Sequence, residues 1–462
     1  MSSSTYTLYN LIEETYNRYN NNQNNKDYRT ILLEILKEKH FYPSIKVKKF
    51  KDDNNLCLLH NSYKSYDIEN FKELYDDCRS IILDFSRSIG NNVVISYANS
   101  IPIRSTISNY LNNIYEITDK CYMAMDGTLI SVYYHNGKWN FGSSCCPDIN
   151  NSKFSHPSKT HGYMLDEVLY EIYKSNVDIN DPNISSVLRN LFTSNLSPLF
   201  SYEFVLVHHE NIHIIDYSNE LGNNYKYLYH INTKNRISLQ EENIDNKPLE
   251  YLGIKYPLRF ENLHNGIDYI IKNDYSIIIK KINGKLYKIS NDKILHYEEV
   301  NANNYNIWYN FIYIYMLQKP NYNINEYIQE FLVNNQNYNI NEYTNSYNEI
   351  NLIFNTLTDI LYNLYISTTN YYPKYKRFKV NLDIDKTFNP IIRFHLAQLR
   401  YQQVSIYLKA IITKEQVFNY LCHSNNIKNI KKLIKHIITN NIYNLTDNIL
   451  EVFNKINNNL LL

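Results

Sequence analysis

The alternation of apolar and polar residues divides the chain into three stretches of different periodicity. In the first forty residues, apolar side chains recur at helical spacing in TLYNLIEETYNRY and YRTILLEILKEK, with the polar NNNQNN between them. From about Tyr42 to Tyr297 the pattern changes to short runs rich in Ile, Val, Tyr and Phe, which predict strands. The helical period then returns. We therefore expect an N-terminal helical segment at 1–45, a mixed β-rich domain at 46–300 and a helical domain at 301–462.

Within this plan, individual elements can be placed on particular runs. The predicted strands are RSIILDF, NVVISYA, TLISVYY, FSYEFVLV, IHIIDY and YSIIIKKI. Asn-Gly at His135–Lys138 and at Ile282–Lys285 predicts two hairpin turns. A helix is expected at Gly162–Ser175. The predicted C-terminal helices are INEYIQEFLV, EINLIFNTLTDILYNLYI, IIRFHLAQLRYQQVSIYLKAII and IKNIKKLIKHII.

Composition limits the class of protein. Apolar residues make up 44% of the 462 and the formal net charge is +1, which favours a folded chain and restricts any nucleic-acid surface to a local patch. The six cysteines form no C-x-x-C pair, so neither zinc nor a disulfide framework is indicated. The longest apolar stretch, Ile307–Leu317, is too short to cross a membrane. We expect an intracellular, cytoplasmic protein without a membrane partner.

Asn, Ile and Tyr are over-used, with 47 tyrosines, which is typical of an A/T-rich coding genome such as that of a large DNA virus or a protist. A viral origin, in the host cytoplasm or the virion, is therefore left open.

Four segments, in order, carry a family resemblance. They are DDCRSIILDF, YMAMDGTLISVYYHNGKWNFGSS, LFSYEFVLVHHENIHIIDY and DYSIIIKKINGKLYKISND. Together they resemble the tRNA-repairing RNA ligases of DNA bacteriophages, which belong to the covalent nucleotidyltransferase superfamily with DNA ligases and mRNA capping enzymes. The resemblance covers about residues 55–300. It implies an α+β fold, in which an antiparallel-sheet nucleotidyltransferase core precedes an all-helical C-terminal domain.

The resemblance also implies a chemistry. In that family a lysine amine attacks the α-phosphate of ATP, AMP passes to an RNA 5′-phosphate, and a 3′-hydroxyl displaces it. ATP and Mg²⁺ are the implied cofactors and RNA is the implied partner. The nucleophile position falls on Ala124, whose methyl group cannot attack phosphorus. Lys120, four residues earlier, lies about 13 Å away along a strand.

Other positions of the family pattern remain. Asp126 and Gly127 follow the nucleophile position, and a plain Asp-Gly turn explains them equally well. Arg79 matches the arginine that contacts the nucleotide or the acceptor end, although a surface arginine is an alternative. Glu203 matches the acidic residue that holds the ribose or a metal, and Lys288 matches one of two phosphate-binding lysines.

The fourth segment departs most from the pattern. The expected metal-binding glutamate falls on Tyr275, with Asp274 as a stand-in if a one-residue gap is allowed. The second phosphate lysine has become Ser290. An engineered knock-out explains Ala124 alone, whereas natural loss of catalysis explains all three replacements. We interpret the protein as a catalytically inactive relative that keeps a nucleotide or RNA pocket. The alternatives are an active divergent ligase, an engineered inactive form, and a viral structural or partner-binding protein that uses the fold without nucleotide.

Basic and aromatic residues adjoin in stretches that predict RNA contacts, since Tyr rings stack on bases while Lys and Arg meet phosphates. Ordinary solvated faces are the alternative. The candidate residues are Lys374, Lys376, Arg377, Lys431, Lys432 and Lys435. The histidines of VHHENIH are interpreted as solvated turn residues rather than metal ligands.

Overall fold

The architecture of the chain is given by a computed structural model. It describes residues 6–21, 26–51, 53–61, 71–87, 93–99, 101–116, 119–153, 159–211, 213–215, 217–273, 275–282, 284–300, 307–317, 340–372, 377–405, 412–423, 427–440 and 445–461. The chain forms two compact units, Met1–Leu295 and His296–Leu462. The predicted boundary lies five residues later, at 300.

The described helices are α1 (Leu8–Asn20), α2 (Tyr28–Glu38), α3 (Lys72–Asp77), α4 (Ile107–Asn113), α5 (His161–Tyr173), α6 (Ile184–Thr193), α7 (Ser218–Leu221), α8 (Leu263–Lys272), α9 (Asp292–Val300), α10 (Ile307–Met316), α11 (Ile340–Thr368), α12 (Leu382–Thr387), α13 (Pro390–Ser405), α14 (Lys414–His423), α15 (Ile427–Asn440) and α16 (Asp447–Leu461).

The described strands are β1 (Ile45–Lys49), β2 (Leu56–Asn61), β3 (Ile81–Asp84), β4 (Val94–Ser96), β5 (Ile103–Ser105), β6 (Lys120–Met123), β7 (Thr128–His135), β8 (Lys138–Ser143), β9 (Phe200–His208), β10 (Lys226–Asn235), β11 (Arg259–Phe260), β12 (Ser276–Lys280), β13 (Leu286–Ser290), β14 (Thr369–Tyr372) and β15 (Arg377–Val380).

The two N-terminal helices form where the apolar spacing predicts them. Thr7 caps α1 in a reciprocal capping box with Asn10, and the carboxylate of Asp27 accepts from the amide of Thr30 at 2.7 Å to start α2. Their apolar faces, including the fully buried Leu11, share a core with the first antiparallel sheet, ordered β1-β2-β3-β4. In the structure these helices therefore pack with residues of the predicted second segment.

A second antiparallel sheet has the order β10-β9-β7-β8. The β7–β8 hairpin turns at Asn136 and Gly137, both at positive φ, as the Asn-Gly pair predicts. Helices α5 and α6 bury Leu165, Leu188 and Phe192 against one face of this sheet. The predicted helix at Gly162–Ser175 corresponds to α5.

The third sheet has the order β11-β6-β12-β13-β5, with β13 and β5 parallel and the other pairs antiparallel. Strands β12 and β13 form the second predicted hairpin, with Gly284 at φ 79°. Helix α8 packs Gly266 against this sheet, where an added Cβ would meet Sγ of Cys121 at 2.6 Å. Strand β6 carries the start of the second motif segment, and β12 and β13 carry the fourth.

One predicted strand is wrong. IHIIDY was expected to continue the sheet, but the described residues of this run, His213–Ile215 and Tyr217, form no strand. The amides of Ile214 and Ile215 instead donate to the carboxylate of Asp126, at 2.5 and 3.1 Å. A side-chain acceptor thus takes the donors that a strand partner would have used.

The second unit is built around helices α10, α11 and α13–α16, whose apolar faces share one core. The prediction of an all-helical domain is wrong in one place, because β14 and β15 pair antiparallel within it. TNYY and RFKV are rich in β-branched and aromatic residues, which favour strands. In the described parts of the chain, every helix falls short of the length and apolarity needed to cross a bilayer.

Candidate functional site

A cavity of about 790 Å³ lies in the N-terminal unit against one face of the third sheet. It brings together three residues singled out from the sequence, Ala124, Arg79 and Lys288. Its other lining residues are Lys72, Tyr75, Asp76, Asn99, Ile101, Pro102, Ile103, Arg104, Tyr122, Met123, Met125, Val205, Ile231, Glu241, Ile244, Asp245, Lys247, Tyr256, Pro257, Arg259, Ile278, Lys280 and Leu286.

Two of the three replaced positions, Ala124 and Ser290, lie on either side of Ser276 in one row across the sheet. The amide of Ala124 donates to the carbonyl of Ser276 at 2.8 Å, and Ser276 is the cross-strand partner of Ser290. The hydroxyls of the two serines are 2.6 Å apart and both residues are buried. The methyl group of Ala124 and the mutually hydrogen-bonded hydroxyls of Ser276 and Ser290 are all uncharged, and we call these three residues the neutral row. It offers neither a nucleophilic amine nor a cation.

Cationic side chains begin two residue pairs further along the strands. Lys288 is the register partner of Arg104, and Tyr122, two strands away, is the register partner of Arg259. Lys280 follows two pairs beyond, opposite Leu286. The cations on the strands of this sheet thus lie away from the neutral row. Arg104, Arg259 and Lys280 were not singled out from the sequence. Lys280 is two residues from Ile278, the cross-strand partner of Lys288, and therefore lies on the same face of the sheet as Lys288.

Lys120 is held in place by another part of the chain. Its Nζ lies 2.8 Å from Oδ2 of Asp245, and its backbone pairs with Lys280. Ala124 is four residues further along the chain, about 13 Å at strand spacing. Lys120 therefore does not take the place of an amine at residue 124.

Arg79 follows α3 and reaches the cavity through its guanidinium, whose Nη1 donates to the carbonyl of Asn99 at 3.4 Å. The sequence suggested a surface arginine beside Asp76 as the alternative. In the structure Asp76 pairs with Lys72 at 2.7 Å. Arg79 is thus among the cations that face the cavity.

Asp126 and Gly127 have packing roles outside the cavity lining. The carboxylate of Asp126 holds the loop at Ile214, and its amide donates to the hydroxyl of Tyr217 at 2.6 Å. A Cβ on Gly127 would lie 2.8 Å from Cγ1 of Val205, on the neighbouring strand β9. The pair therefore joins the start of β7 to β9 and to the loop after it.

Glu203 also lies outside the cavity lining, buried at 3% exposure on β9. Its Oε1 is 3.7 Å from Nζ of Lys234, and Oε2 accepts from the amide of Asn99 at 3.4 Å. Lys234 is equally buried, donates to the carbonyl of Tyr97 at 3.1 Å and stacks over that ring. Burial lowers the pKa of Lys234 despite the attraction of Glu203.

The carboxylate of Glu203 lies in a buried polar row. Its cross-strand partners are Ser131 on β7 and Asn232 on β10. Within the described structure, Oε1 of Glu203, Oγ of Ser131 and Oδ1 of Asn232 make no hydrogen bond. Glu203, the acidic candidate from the sequence, therefore lies inside a sheet next to Lys234, which the sequence analysis did not single out.

The expected metal-binding glutamate position is occupied by an aromatic cluster. Tyr275 is buried 5.7 Å from the ring of Tyr269 and 6.0 Å from that of Tyr217. Burial, and then a hydrogen bond to Glu220, raise the pKa of Tyr275. Asp274, the proposed stand-in metal ligand, lies outside the described residues.

Among the described residues, one group has metal-ligand chemistry: Glu167, His208 and Glu210. The amide of Glu210 donates to Nδ1 of His208, so the neutral ring carries its proton on Nε2, which faces Glu167 at 3.0 Å. Lys159 lies between the two carboxylates, 3.3 Å from that of Glu167. Internal partners thus occupy the ligand atoms. The expectation of solvated histidines is wrong for His208, which is buried, while His209 and His213 are half-buried.

The predicted RNA-contact residues fall in the second unit. Lys374 and Lys376 lie outside the described residues, and the side chain of Arg377 is likewise outside them. On α15, Lys432 and Lys435 are exposed, while Nζ of Lys431 donates to the carbonyl of Leu460 at 2.6 Å. Two of the six candidates are therefore solvent-facing cations on one helix.

Comparison with known proteins finds low structural similarity to ligases. No protein-family model and no curated protein match the chain. A protein assigned as an ATP-dependent DNA ligase from Aquifex aeolicus is similar with a TM-score of 0.36 and 12% identity, covering 69% of this chain and 76% of that chain. An archaeal ATP-dependent RNA ligase is similar with a TM-score of 0.37 and 10% identity, covering 69% of this chain and 75% of that chain. A Naegleria gruberi RNA ligase mutant with ATP and Mn is similar with a TM-score of 0.27 and 10% identity, covering 43% of this chain and 57% of that chain.

Proposed function

We propose that this protein is an RNA-ligase-like member of the covalent nucleotidyltransferase superfamily that binds a phosphorylated nucleoside without capturing it covalently. The ligand is an adenine nucleotide or the 5′-phosphate end of an RNA, and Mg²⁺ can accompany it. Support comes from the four ordered motif segments together with a cavity lined by Arg79, Lys288 and Ala124. The neutral row is the observation that carries the proposal.

The neutral row supports a loss of catalysis in which the nucleophile and a neighbouring cation are both missing. A lysyl-adenylate needs an amine against the α-phosphate, and cations beside it to neutralise the charge that develops there. Ala124 removes the amine and Ser290 removes one of the cations. The two positions are separated only by Ser276. Because both the nucleophile position, Ala124, and one of the two phosphate-lysine positions, Ser290, are uncharged, a single engineered substitution does not account for the site.

Cations beyond the neutral row still suit a phosphate. Lys288 and Arg104 are paired across adjacent strands and Arg79 reaches the same cavity. Charge-assisted hydrogen bonds from Lys and Arg bind phosphate oxygens, and Arg does so in a bidentate manner. These residues provide binding without providing a nucleophile at residue 124.

Replacing Lys288 with alanine is expected to weaken ATP binding by about tenfold to a hundredfold, because a charge-assisted hydrogen bond contributes about 1.5–3 kcal/mol. Isothermal titration calorimetry with ATP and Mg²⁺ would measure the change. Lys174→Ala, which removes an equal charge from the exposed end of α5, is expected to leave affinity unchanged. Absence of ATP and 5′-phosphorylated RNA binding by the native protein would contradict the proposed function and favour a structural or partner-binding role.

A further inference from the structure

The loop between β10 and β11, residues 236–258, brings two carboxylates into the cavity. Glu241 and Asp245 both belong to its lining. Backbone contacts fix this part of the loop: the amide of Glu242 donates to the carbonyl of Thr233 at 2.8 Å, and the hydroxyl of Tyr97 donates to the carbonyl of Leu239. The carboxylates are therefore presented to the cavity from an anchored backbone.

Asp245 gathers three partners from the third sheet. Its Oδ2 lies 2.8 Å from Nζ of Lys120 and 3.1 Å from Nη1 of Arg259, and Oδ1 accepts from the hydroxyl of Tyr122 at 3.0 Å. Partial burial opposes ionisation, but these partners outweigh it and hold the pKa of Asp245 below its ordinary value. Asp245 is thus a fixed anion at the end of the cavity that lies away from Ala124.

Glu241 makes the corresponding contact one strand over, where it forms an ion pair with Lys280. Both side chains are about three-quarters covered, with exposures of 24% and 28%. Lys280 and Lys120 are register partners on adjacent strands. Glu241 and Asp245 therefore form ion pairs with two lysines, Lys280 and Lys120, that are neighbours on the sheet.

We propose that Glu241 and Asp245 are specificity-determining residues that limit the negative charge of the ligand. This inference rests on the proposed function and names its substrate class: a nucleoside monophosphate or a 5′-monophosphate RNA end is accepted in preference to a nucleoside triphosphate. Each added phosphate must displace a carboxylate from Lys120, Arg259 or Lys280, or lie beside it as a like charge. Discrimination by a fixed unfavourable charge is a general route to specificity.

The test compares AMP, ATP and inorganic tripolyphosphate by calorimetry on the native chain and on Glu241→Gln/Asp245→Asn. The native chain is expected to bind AMP at least as tightly as ATP. The double variant is expected to bind ATP and tripolyphosphate about tenfold more tightly, with AMP changed by about threefold or less, because only the additional phosphates meet the two carboxylates. The matched control is Glu242→Gln/Glu171→Gln, which removes two exposed negative charges outside the cavity lining.

The outcomes separate this inference from the proposed function. If nucleotides bind but the ATP-to-AMP affinity ratio is the same in the native and double-variant proteins, the specificity role is overturned and the proposed function stands. If nucleotides fail to bind but tripolyphosphate binding rises in the double variant alone, the charge limit stands and the nucleotide function falls. An equal gain in the control variant would make the effect one of net charge and would overturn the role of these two residues.

Discussion

Replacing Lys234 with methionine is expected to lower the free energy of unfolding of the N-terminal unit by about 4 kcal/mol, the scale for breaking a buried ion pair. Lys234 and Glu203 are each about 4% exposed in their side chains, and Nζ of Lys234 also donates to the carbonyl of Tyr97. Methionine fills similar volume but leaves the carboxylate of Glu203 buried without a cation. The loss therefore reports on charge rather than on packing.

Urea unfolding followed by tryptophan fluorescence measures this change. Trp139 and Trp308 are the two tryptophans, one in each unit, so a Trp308→Phe background confines the signal to the N-terminal unit. Adding Glu203→Gln to Lys234→Met is expected to recover more than half of the loss, because it removes the unpaired charge. Lys174→Met, at an exposed pair, is expected to change stability by less than about 1 kcal/mol. Full additivity of the two buried substitutions would contradict the pairing.

Gly127→Ala is expected to destabilise the N-terminal unit by about 3 kcal/mol, because overpacking against backbone is relieved only by moving a strand. The new Cβ would lie 2.8 Å from Cγ1 of Val205 and closer still to the carbonyl oxygen of Leu206. Both neighbours belong to β9, which pairs with β7 from Thr128 onward. The same fluorescence-monitored urea unfolding measures the effect.

Gly253→Ala serves as the control for Gly127→Ala. Gly253 has φ 81°, so alanine there is strained, but its Cβ would meet Ile172 at an ordinary 3.6 Å. The expected loss is about 1 kcal/mol. Equal losses at the two glycines would contradict a steric requirement at Gly127 and would leave Asp126-Gly127 as an ordinary turn.

Local periodicity was sufficient to predict much of the fold. The helical spacing of TLYNLIEETYNRY corresponds to α1, and Asn136-Gly137 forms the hairpin turn that its preference for positive φ predicts. The failures have local causes. IHIIDY has strand composition, but Asp126, almost ninety residues away in sequence, takes its amide donors. A side chain so distant leaves no trace in the local pattern.

The candidate site was predictable only where a motif labels the residue. Ala124, Arg79 and Lys288 share a cavity, and all three come from the motif segments. Glu203 was matched to a ligand role, whereas its carboxylate faces Lys234, on a strand whose pairing the sequence does not reveal. Glu241 and Asp245 were missed because they lie in a loop, where no periodicity indicates that they turn towards the cavity.

The measurement that tests the central claim most directly is intact-protein mass spectrometry after incubation with ATP and Mg²⁺. We expect the native chain to keep its unmodified mass, because residue 124 offers no amine and Lys120 is held by Asp245. Ala124→Lys is also expected to remain unmodified, since Ser290 still leaves the site with only one of the two phosphate-binding lysines, Lys288. A mass increase of one adenylyl group on the native protein, mapped to a lysine nitrogen, would contradict the account.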